Sequence, residues 1–395
     1  MKKNPVVIAS GARTPIGAFQ GGLSSMSAPQ LGGVAIKAAL ERANVPADRV
    51  DEVIMGCVLT AGVGQAPARQ AAIAAGIPVS AHAMTINKVC ASGLMAVELG
   101  AQRIQLGISD VVVVGGMECM SQVPFYLDGA RTGLRLGDHK LVDGMVFDGL
   151  TNPYDGKHMG SCAELCATEH DLSREAQDAF AATSYGKALA AIEAGRFQEE
   201  IVPVLVPQRR GDPVIVSVDE EPGRGRPEKL NKLRPAFQKD GTITAGNASS
   251  INDGAAAIVL MSAEAAAELG CDPLGNFVDS VTASKEPEWF TTAPADAIKT
   301  LLERTGKELG DVGLLEINEA FAAVSLANNQ LLELNADLVN IWGGAVALGH
   351  PIGASGCRIL VTLLHAMKYN GAQRGIASLC NGGGEAVAMM VERNQ

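Results

Sequence analysis

The sequence predicts an α/β fold assembled from two similar halves, and three observations carry that prediction. Apolar strand-like runs alternate with Ala-rich helical stretches along the chain, the pattern of strand pairs linked by helices. A segment in the first third is repeated near the end with its elements in the same order. Between corresponding strands, the first copy carries a long stretch where the second has only a short glycine turn.

"PVVIAS" (5–10) reads as the opening strand, and an Ala-rich helix runs from about Gln30 to Ala43. "EVIMGCVL" (52–59) is the next strand; "DVVVVGG" (110–116), a Val run closed by glycine, is a buried one. The repeat pairs "CASGLMAVELGAQRIQLGISDVVVVGG" (90–116) with "GASGCRILVTLLHAMKYNGAQRGIASLCNGGG" (353–384). Each sets Ala-Ser-Gly before a helix, then a strand, then glycines. "GAAAIVLM" (254–261) likewise matches "GEAVAMMV" (384–391), and the turn at 381–384 corresponds to residues 117–253. The expected organisation is an N-terminal half over 1–120 completed by 250–271, an inserted lid over 121–249, and a C-terminal half over 272–395. An insertion that leaves the end of a strand in such a sheet lies where ligands bind. Its segment "PGRGRPEKLNKLRPAFQK" (222–239) holds six Lys/Arg and one Glu, as a solvated loop would, or a landing place for a ligand phosphate.

A chain of 395 residues exceeds one ordinary core and calls for two or three domains. Hydrophobic residues make up 47% but aromatics only 4%, with 45 glycines, so the interior is packed from Ala, Val, Ile and Leu in close layers. A net charge of −11 argues against a general nucleic-acid binder. "MKKNPVVIASGART" has no apolar run of signal length, no stretch is apolar enough to span a membrane, and "VERNQ" carries no lipidation or peroxisomal address. Eight scattered cysteines without a secretory signal point to free thiols in a reducing, cytoplasmic setting.

Four segments set chemistry-bearing side chains beside glycines or at element ends. "NKVCASGLMAVELG" (87–100) places Cys90 where a polar turn becomes a helix. A packing cysteine suits that place, and so does a reactive thiolate, because the first turn of a helix lowers a thiol's pKa. "LLEINEAFAAVS" (314–325) places Asn318 and Glu319 where an apolar segment meets an Ala-rich helix. "GGAVALGHPIGASG" (343–356) sets His350 among five glycines, and "IASLCNGGGEA" (376–386) sets Cys380 at a strand end. The plain alternatives are Asn318 as a helix cap, His350 as a turn residue and Cys380 as core filler. Taken together, the glycine runs let backbone approach a ligand and expose N–H groups. Cys90 and Cys380 also fall on corresponding sides of the two copies, so halves facing each other about a pseudo-twofold axis bring them together. The four-residue spacing of His158, Cys162, Cys166 and His170 is not a metal site. On a helix the outer two lie ~18 Å apart, whereas zinc ligands converge within about 2.3 Å of the ion.

The chain resembles the thiolases, in their acetyl-CoA acetyltransferase group, over nearly its whole length. The matching stretches are "RTPIG" (13–17), "NKVCASG" (87–93), "GGMECMS" (115–121), "HMG" (158–160), "LRPAF" (233–237), "TAGNASSINDGAAA" (244–257), "NEAFA" (318–322), "GGAVALGHPIGASG" (343–356) and "CNGGGEA" (380–386). The resemblance implies a duplicated α-β-α-β-α fold of five layers, with two mixed five-stranded halves and an inserted lid domain. By it, Cys90 is the acyl-accepting nucleophile, favoured as thiolate by a helix N-terminus and relieved of its proton by His350. Cys380 is the acid/base that removes the α-proton of a second acetyl group. His350 and a water on Asn318 hold the enolate oxygen, and the N–H groups of Cys90 and Gly382 hold the tetrahedral intermediate. A side chain after Cys380 is expected to block that approach. His158 and Ser249 match contacts to pantetheine, with Leu150, Met159, Ala320 and Phe321 lining the slot and Arg224 or a neighbour near the nucleotide phosphates. Phe290, in "EPEWFTTAP" (286–294), stands in a segment where short-chain relatives carry Met and is expected to keep the acyl pocket short.

The implied activity is reversible ping-pong condensation of two acetyl-CoA to acetoacetyl-CoA and coenzyme A, or the reverse thiolysis, through an acetyl-Cys90 thioester. It needs an acyl-CoA as small-molecule partner and no resident cofactor or metal, coenzyme A being substrate and product; the motifs do not bear on a monovalent cation. The family also implies a homodimer or homotetramer, with no nucleic-acid or membrane partner. A broader-chain 3-ketoacyl-CoA thiolase is the near alternative. A β-ketoacyl synthase-like enzyme has no second catalytic cysteine, against "SLCNGGGEA". A non-catalytic acyl-CoA or lipid carrier would have lost site residues, and no G-x-G-x-x-G follows the first strand to support a nicotinamide dehydrogenase.

Overall fold

The computed structural model describes residues 4–393, so the lysines at 2 and 3 and the last two residues of "VERNQ" lie outside the described residues. In chain order the main elements begin with β1 (Val6–Arg13), α1 (Ala28–Ala43), β2 (Glu52–Gly56), α2 (Pro67–Ala74), β3 (His82–Ile86), α3 (Ser92–Gln105) and β4 (Val111–Cys119). The inserted stretch contributes α4 (Met159–Glu169) and α5 (Arg174–Glu193). The chain then returns through β5 (Asn252–Ser262), β6 (Gly275–Ser284), α6 (Ala293–Thr305), β7 (Leu314–Ile317), α7 (Ala322–Leu332), α8 (Ile352–Asn370), β8 (Arg374–Asn381) and β9 (Glu385–Glu392).

Local chemistry sets several of these bounds. Ser27 and Gln30 form a reciprocal capping box at the start of α1, and Asn44 ends the helix in the left-handed conformation. β4 and β5 are buried along their full lengths, as apolar runs without polar alternation require.

The strand order is β7-β8-β9-β6-β1-β5-β4-β2-β3, and it is symmetric about its middle. β2 and β4 pair in parallel, as do β7 and β8. β4–β5 and β5–β1 are antiparallel, as are β8–β9 and β9–β6. The halves join through two residue pairs of β1 and β6, Val7↔Asn276 and Ile8↔Gly275. At the position corresponding to β3, the C-terminal half has only the parallel bridge Leu315↔Val339, so the five strands expected of that half reduce to four and a bridge.

Three apolar clusters mark the layers. α1 and α2 pack on the outer face of the first half-sheet, α3 and α8 fill the middle, and α6 covers the outer face of the second. The result is five layers, α-β-α-β-α. The middle layer depends on a reciprocal backbone contact. A Cβ on Gly93 would sit 2.7 Å from Cys357 N, and a Cβ on Gly356 would sit 2.5 Å from Leu94 N. Each glycine of the repeated Ala-Ser-Gly thus faces the residue that follows its counterpart.

The inserted stretch is tied down by charge. Arg13, fully buried, donates Nε to Glu200 at 2.5 Å and both terminal nitrogens to Asp219 at 2.7 and 2.9 Å. A buried bidentate pair of this kind is costly to break from one side.

Gly93→Ala and Gly356→Ala should each lower the melting temperature by about 3 °C or more, because a methyl forced against backbone costs roughly 1–3 kcal/mol. Scanning calorimetry of the two variants reads this; an unchanged Tm would contradict the contact.

Candidate active site

β8, the turns before α3 and α8, and the inserted stretch converge on a cavity of about 350 Å³. Cys90, His350, Cys380 and Gly382 line it, and so do His158, Met159, Leu150, Ser249, Ala320, Phe321 and Phe290. Two expected residues do not. Asn318 is buried behind the lining, with neither amide atom hydrogen-bonded within the protein. Arg224 is exposed at the end of the short helix Glu220–Arg224, away from the cavity wall. One turn of helix ending in Gly225 aims it at solvent.

Cys90 precedes its helix. α3 begins at Ser92, and Val89 holds a left-handed φ of 48°, a strained state for a β-branched residue. The Ser92 hydroxyl donates to Val89 O at 2.6 Å and accepts from Lys88 N–H at 2.8 Å, which closes this turn. The N–H groups of Gly382 and of Cys90 itself point at the sulfur and favour its anion, but burial prevails and pushes the thiol up to about 12. The helix-lowered thiolate expected above is thus opposed by desolvation, which raises the thiol.

His350 sits between the one-turn helix Ala345–Leu348 and α8. Asn252 Oδ1 accepts its backbone N–H at 2.8 Å, and its Nδ1 lies 2.6 Å from Ser355 Oγ. The Ser355 hydroxyl proton is committed to Pro351 O at 2.9 Å, so the hydroxyl accepts from Nδ1–H. Nε2 is then the lone-pair nitrogen, and it is buried without a protein partner. Burial, with the charge of Arg358 second, depresses the imidazole to about 3. His350 is a neutral ring with its basic atom unengaged.

Cys380 is held at the end of β8, where Asn381 pairs with Glu385 across a glycine turn. Burial first, then the nearby Cys90, raises its thiol well above the usual range. The glycines after Cys380 differ in their surroundings. A Cβ on Gly382 would meet Met159 and Val89 at an ordinary 3.6 Å, whereas one on Gly384 would collide with the Lys285 carbonyl, at φ 87°. Gly382 lines the cavity, and Gly383 and Gly384, at φ 94° and 87°, hold the left-handed turn.

The slot above the sulfurs has its own polar fittings. His158 caps α4, its Nδ1 accepting Gly160 N–H at 3.0 Å, which leaves Nε2–H as the donor. Its ring stacks on Phe237, with centroids 4.7 Å apart. Ser249 donates both N–H and hydroxyl to Ala320 O. Cys162 and Cys166 lie within α4, between His158 and His170 at its two caps, and no group of three metal-ligating side chains occurs among the described residues.

Asn318 is not a helix cap, since α7 begins at Ala322. Glu319 instead holds the loop before His350. It accepts from Ser184 Oγ at 2.6 Å, Asn340 Nδ2 at 2.9 Å and Val346 N–H at 3.2 Å. Ser355, Asn252 and Phe237 also hold side chains of the site in place. All three stand inside stretches quoted for the resemblance, but only folding shows whose atoms they meet.

Residues 6–264 match the family described as thiolase, N-terminal domain, and residues 271–393 match thiolase, C-terminal domain. Acetyl-CoA acetyltransferases of Pseudomonas aeruginosa and Cupriavidus necator are 53% and 55% identical to this chain, each over 98% of it and 99% of the relative. A cytosolic acetyl-CoA acetyltransferase of Gibberella zeae is 54% identical over 99% of both chains. The crystal structure of the Acat5 thiolase of Ascaris suum in complex with coenzyme A superposes with a TM-score of 0.94, at 46% identity, covering 99% of this chain and all of that one.

Alkylation of the Cys90 peptide by iodoacetamide, followed by mass spectrometry, should accelerate continuously from pH 7 to pH 10, because the thiolate population grows with pH below a raised pKa. A plateau by about pH 8 would mean a preformed thiolate.

Proposed function

This chain belongs to the thiolase family, and from that premise we propose that it is an acetyl-CoA C-acetyltransferase joining two acetyl-CoA into acetoacetyl-CoA and coenzyme A, reversibly. One observation carries the reading: two thiols, Cys90 and Cys380, line one cavity with the unengaged His350 nitrogen and the Gly382 backbone.

In the first half-reaction Cys90 sulfur attacks the thioester carbonyl as its proton passes to His350 Nε2. The N–H groups of Cys90 and Gly382, already aimed at this sulfur, hold the oxyanion, and one such donor is worth roughly 2.7–4 kcal/mol in the transition state. The carbon–sulfur bond to coenzyme A breaks, and the departing sulfur takes the proton of Cys380. Acetyl-Cys90 then faces an imidazolium and a Cys380 thiolate, each favoured by the opposite charge of the other.

In the second half-reaction the Cys380 thiolate removes an α-proton from a second acetyl-CoA. His350 and a water held by Asn318 receive the enolate oxygen; the unpartnered Asn318 amide supports this role. Enolate carbon attacks acetyl-Cys90, and the departing sulfur recovers its proton from His350. All three groups end neutral, as burial favours at rest.

His158 Nε2–H and Ser249 support the pantetheine arm of an acyl-CoA threading beneath the inserted stretch, and coenzyme A serves as substrate and product rather than a resident group. The domain bounds proposed are those of the sequence reading, 1–120 with 250–271, 121–249 and 272–395. Assembly as a homodimer or homotetramer, which light scattering reads directly, is supported by the edge strand β3, with Met84 exposed, and by the apolar hairpin carrying Phe125, Leu127 and Leu141. A cytoplasmic, reducing setting is supported by eight free cysteines; no helix among the described residues is long and apolar enough to cross a membrane.

Incubated with acetyl-CoA and digested, the wild-type protein should carry an acetyl group on the Cys90 peptide. Cys90→Ser should lose nearly all activity, and Cys380→Ser should still acetylate but fail to condense; equal loss of acetylation in both would refute the two roles. Phe290, buried in the cavity wall, should make C4 3-ketoacyl-CoA the faster substrate over C8 and C16, and faster C16 cleavage would favour the broader-chain thiolase.

A further inference from the structure

A second polar cluster lies behind the cavity, and the mechanism above does not use it. Arg358, on α8, is 2% exposed, yet none of its three guanidinium nitrogens has a hydrogen-bond partner. Opposite stands Glu316 of β7, equally buried, with both carboxylate oxygens likewise unpartnered. Their nearest atoms, Arg358 Nη1 and Glu316 Oε2, are 3.6 Å apart: close enough to attract, too far to hydrogen-bond. Buried polar groups are almost always satisfied, so two facing side chains left without hydrogen bonds are an exception that calls for a reason.

The strand carries this cluster to the active site. Leu315 and Ile317 pack outward against the α6 layer, and Leu314 packs inward with α8, so Glu316 faces inward by alternation. The ladder to β8 continues one residue beyond the strand, Asn318 N–H donating to Ser378 O at 3.0 Å, which puts Asn318 on the face of Glu316. One turn before Arg358, α8 carries Ser355, the partner of His350. Arg358 and Glu316 thus join the strand that presents Asn318 to the helix that orients His350. Other charges near Arg358 are Glu200 from the inserted stretch, Glu319 after β7 and Arg13 on β1. Glu319 is held by three hydrogen bonds and Arg13 by Glu200 and Asp219, while Lys187 of α5 acts on Glu316. Glu316 is the group that faces Arg358 directly.

We propose that Glu316 and Arg358 are positioning residues for the carbanion-forming half of the reaction: a buried charged pair that fixes the Asn318 amide, and the water on it, relative to His350. This rests on the condensing activity proposed above. Cys90 attack uses backbone N–H groups and His350 Nε2, whereas enolate formation needs Asn318 as well, so the pair matters more to the second half-reaction.

The test separates the half-reactions in full-length protein. Acetylation of Cys90 by acetyl-CoA is followed by mass in a single turnover, and condensation by steady-state kcat and KM. Arg358→Met should keep acetylation within about threefold and lower condensation kcat by ~100-fold, the cost of a misplaced catalytic group, with KM little changed. Arg358→Lys, which restores the charge but not the fork, should recover part of that loss. Should Arg358→Met alone fail to fold, the double variant Glu316→Leu/Arg358→Met decides, because removing both members of a buried pair is tolerated far better than removing one; it should fold and still condense slowly. A double variant with wild-type condensation would overturn the proposal, showing that the two groups serve only each other, and so would Arg358→Met slowing both half-reactions equally. Failure of the wild-type control to acetylate Cys90 would instead refute the activity on which the proposal rests.

Discussion

The site exists because two helices touch at their backbones. Gly93 and Gly356 let α3 and α8 approach until each meets the main chain that follows its counterpart, a contact that twofold-related copies of Ala-Ser-Gly make reciprocal. With these helix starts locked together, the turn before α3 delivers Cys90 and the turn before α8 delivers His350 to one place. The strand leaving α8, β8, ends there with Cys380. A larger side chain at either glycine would move all three groups relative to one another, by distances that catalysis does not tolerate.

Burial then decides the charge states. Both thiols are pushed up and the imidazole is pushed down, each chiefly by desolvation, which favours the uncharged form of all three groups. Charge appears in balanced pairs once a thioester supplies an electrophile and the backbone N–H groups supply its oxyanion site. A permanently ionised cysteine would be a liability to oxidants; a half-buried thiol beside a poised base ionises as its substrate binds. The opposite tautomers of the two cavity histidines fit this division: His350 offers a lone pair to the reacting sulfur, His158 a proton to a bound arm.

Much of the architecture was legible in the residues. The doubled Ala-Ser-Gly, the Val run and the matching strand pairs report the duplication because close helix crossing and double-sided burial leave few residue choices. Cys90, His350 and Cys380 stood out because glycines clustered around them. Other features were hidden for physical reasons. A thiol's ionisation is set by how much water its neighbours remove, which only the closed cavity reveals, and α3 starts after Cys90 because Val89 occupies a left-handed turn. Ser355 and Asn252 reveal their hydrogen bonds to His350 only in three dimensions. Arg224 was drawn from a basic run in which charge alone cannot tell a ligand contact from a solvated face.

The central claim is that the sulfurs of Cys90 and Cys380 share one cavity, and a short thiol-to-thiol cross-linker tests that directly. Treated with 1,3-dibromoacetone and digested, the protein should yield one cross-linked species joining the Cys90 and Cys380 peptides, with both bromides lost, and acetylation of Cys90 beforehand should prevent it. Separate single adducts on the two cysteines, or a bridge from Cys90 to any other thiol, would contradict the account.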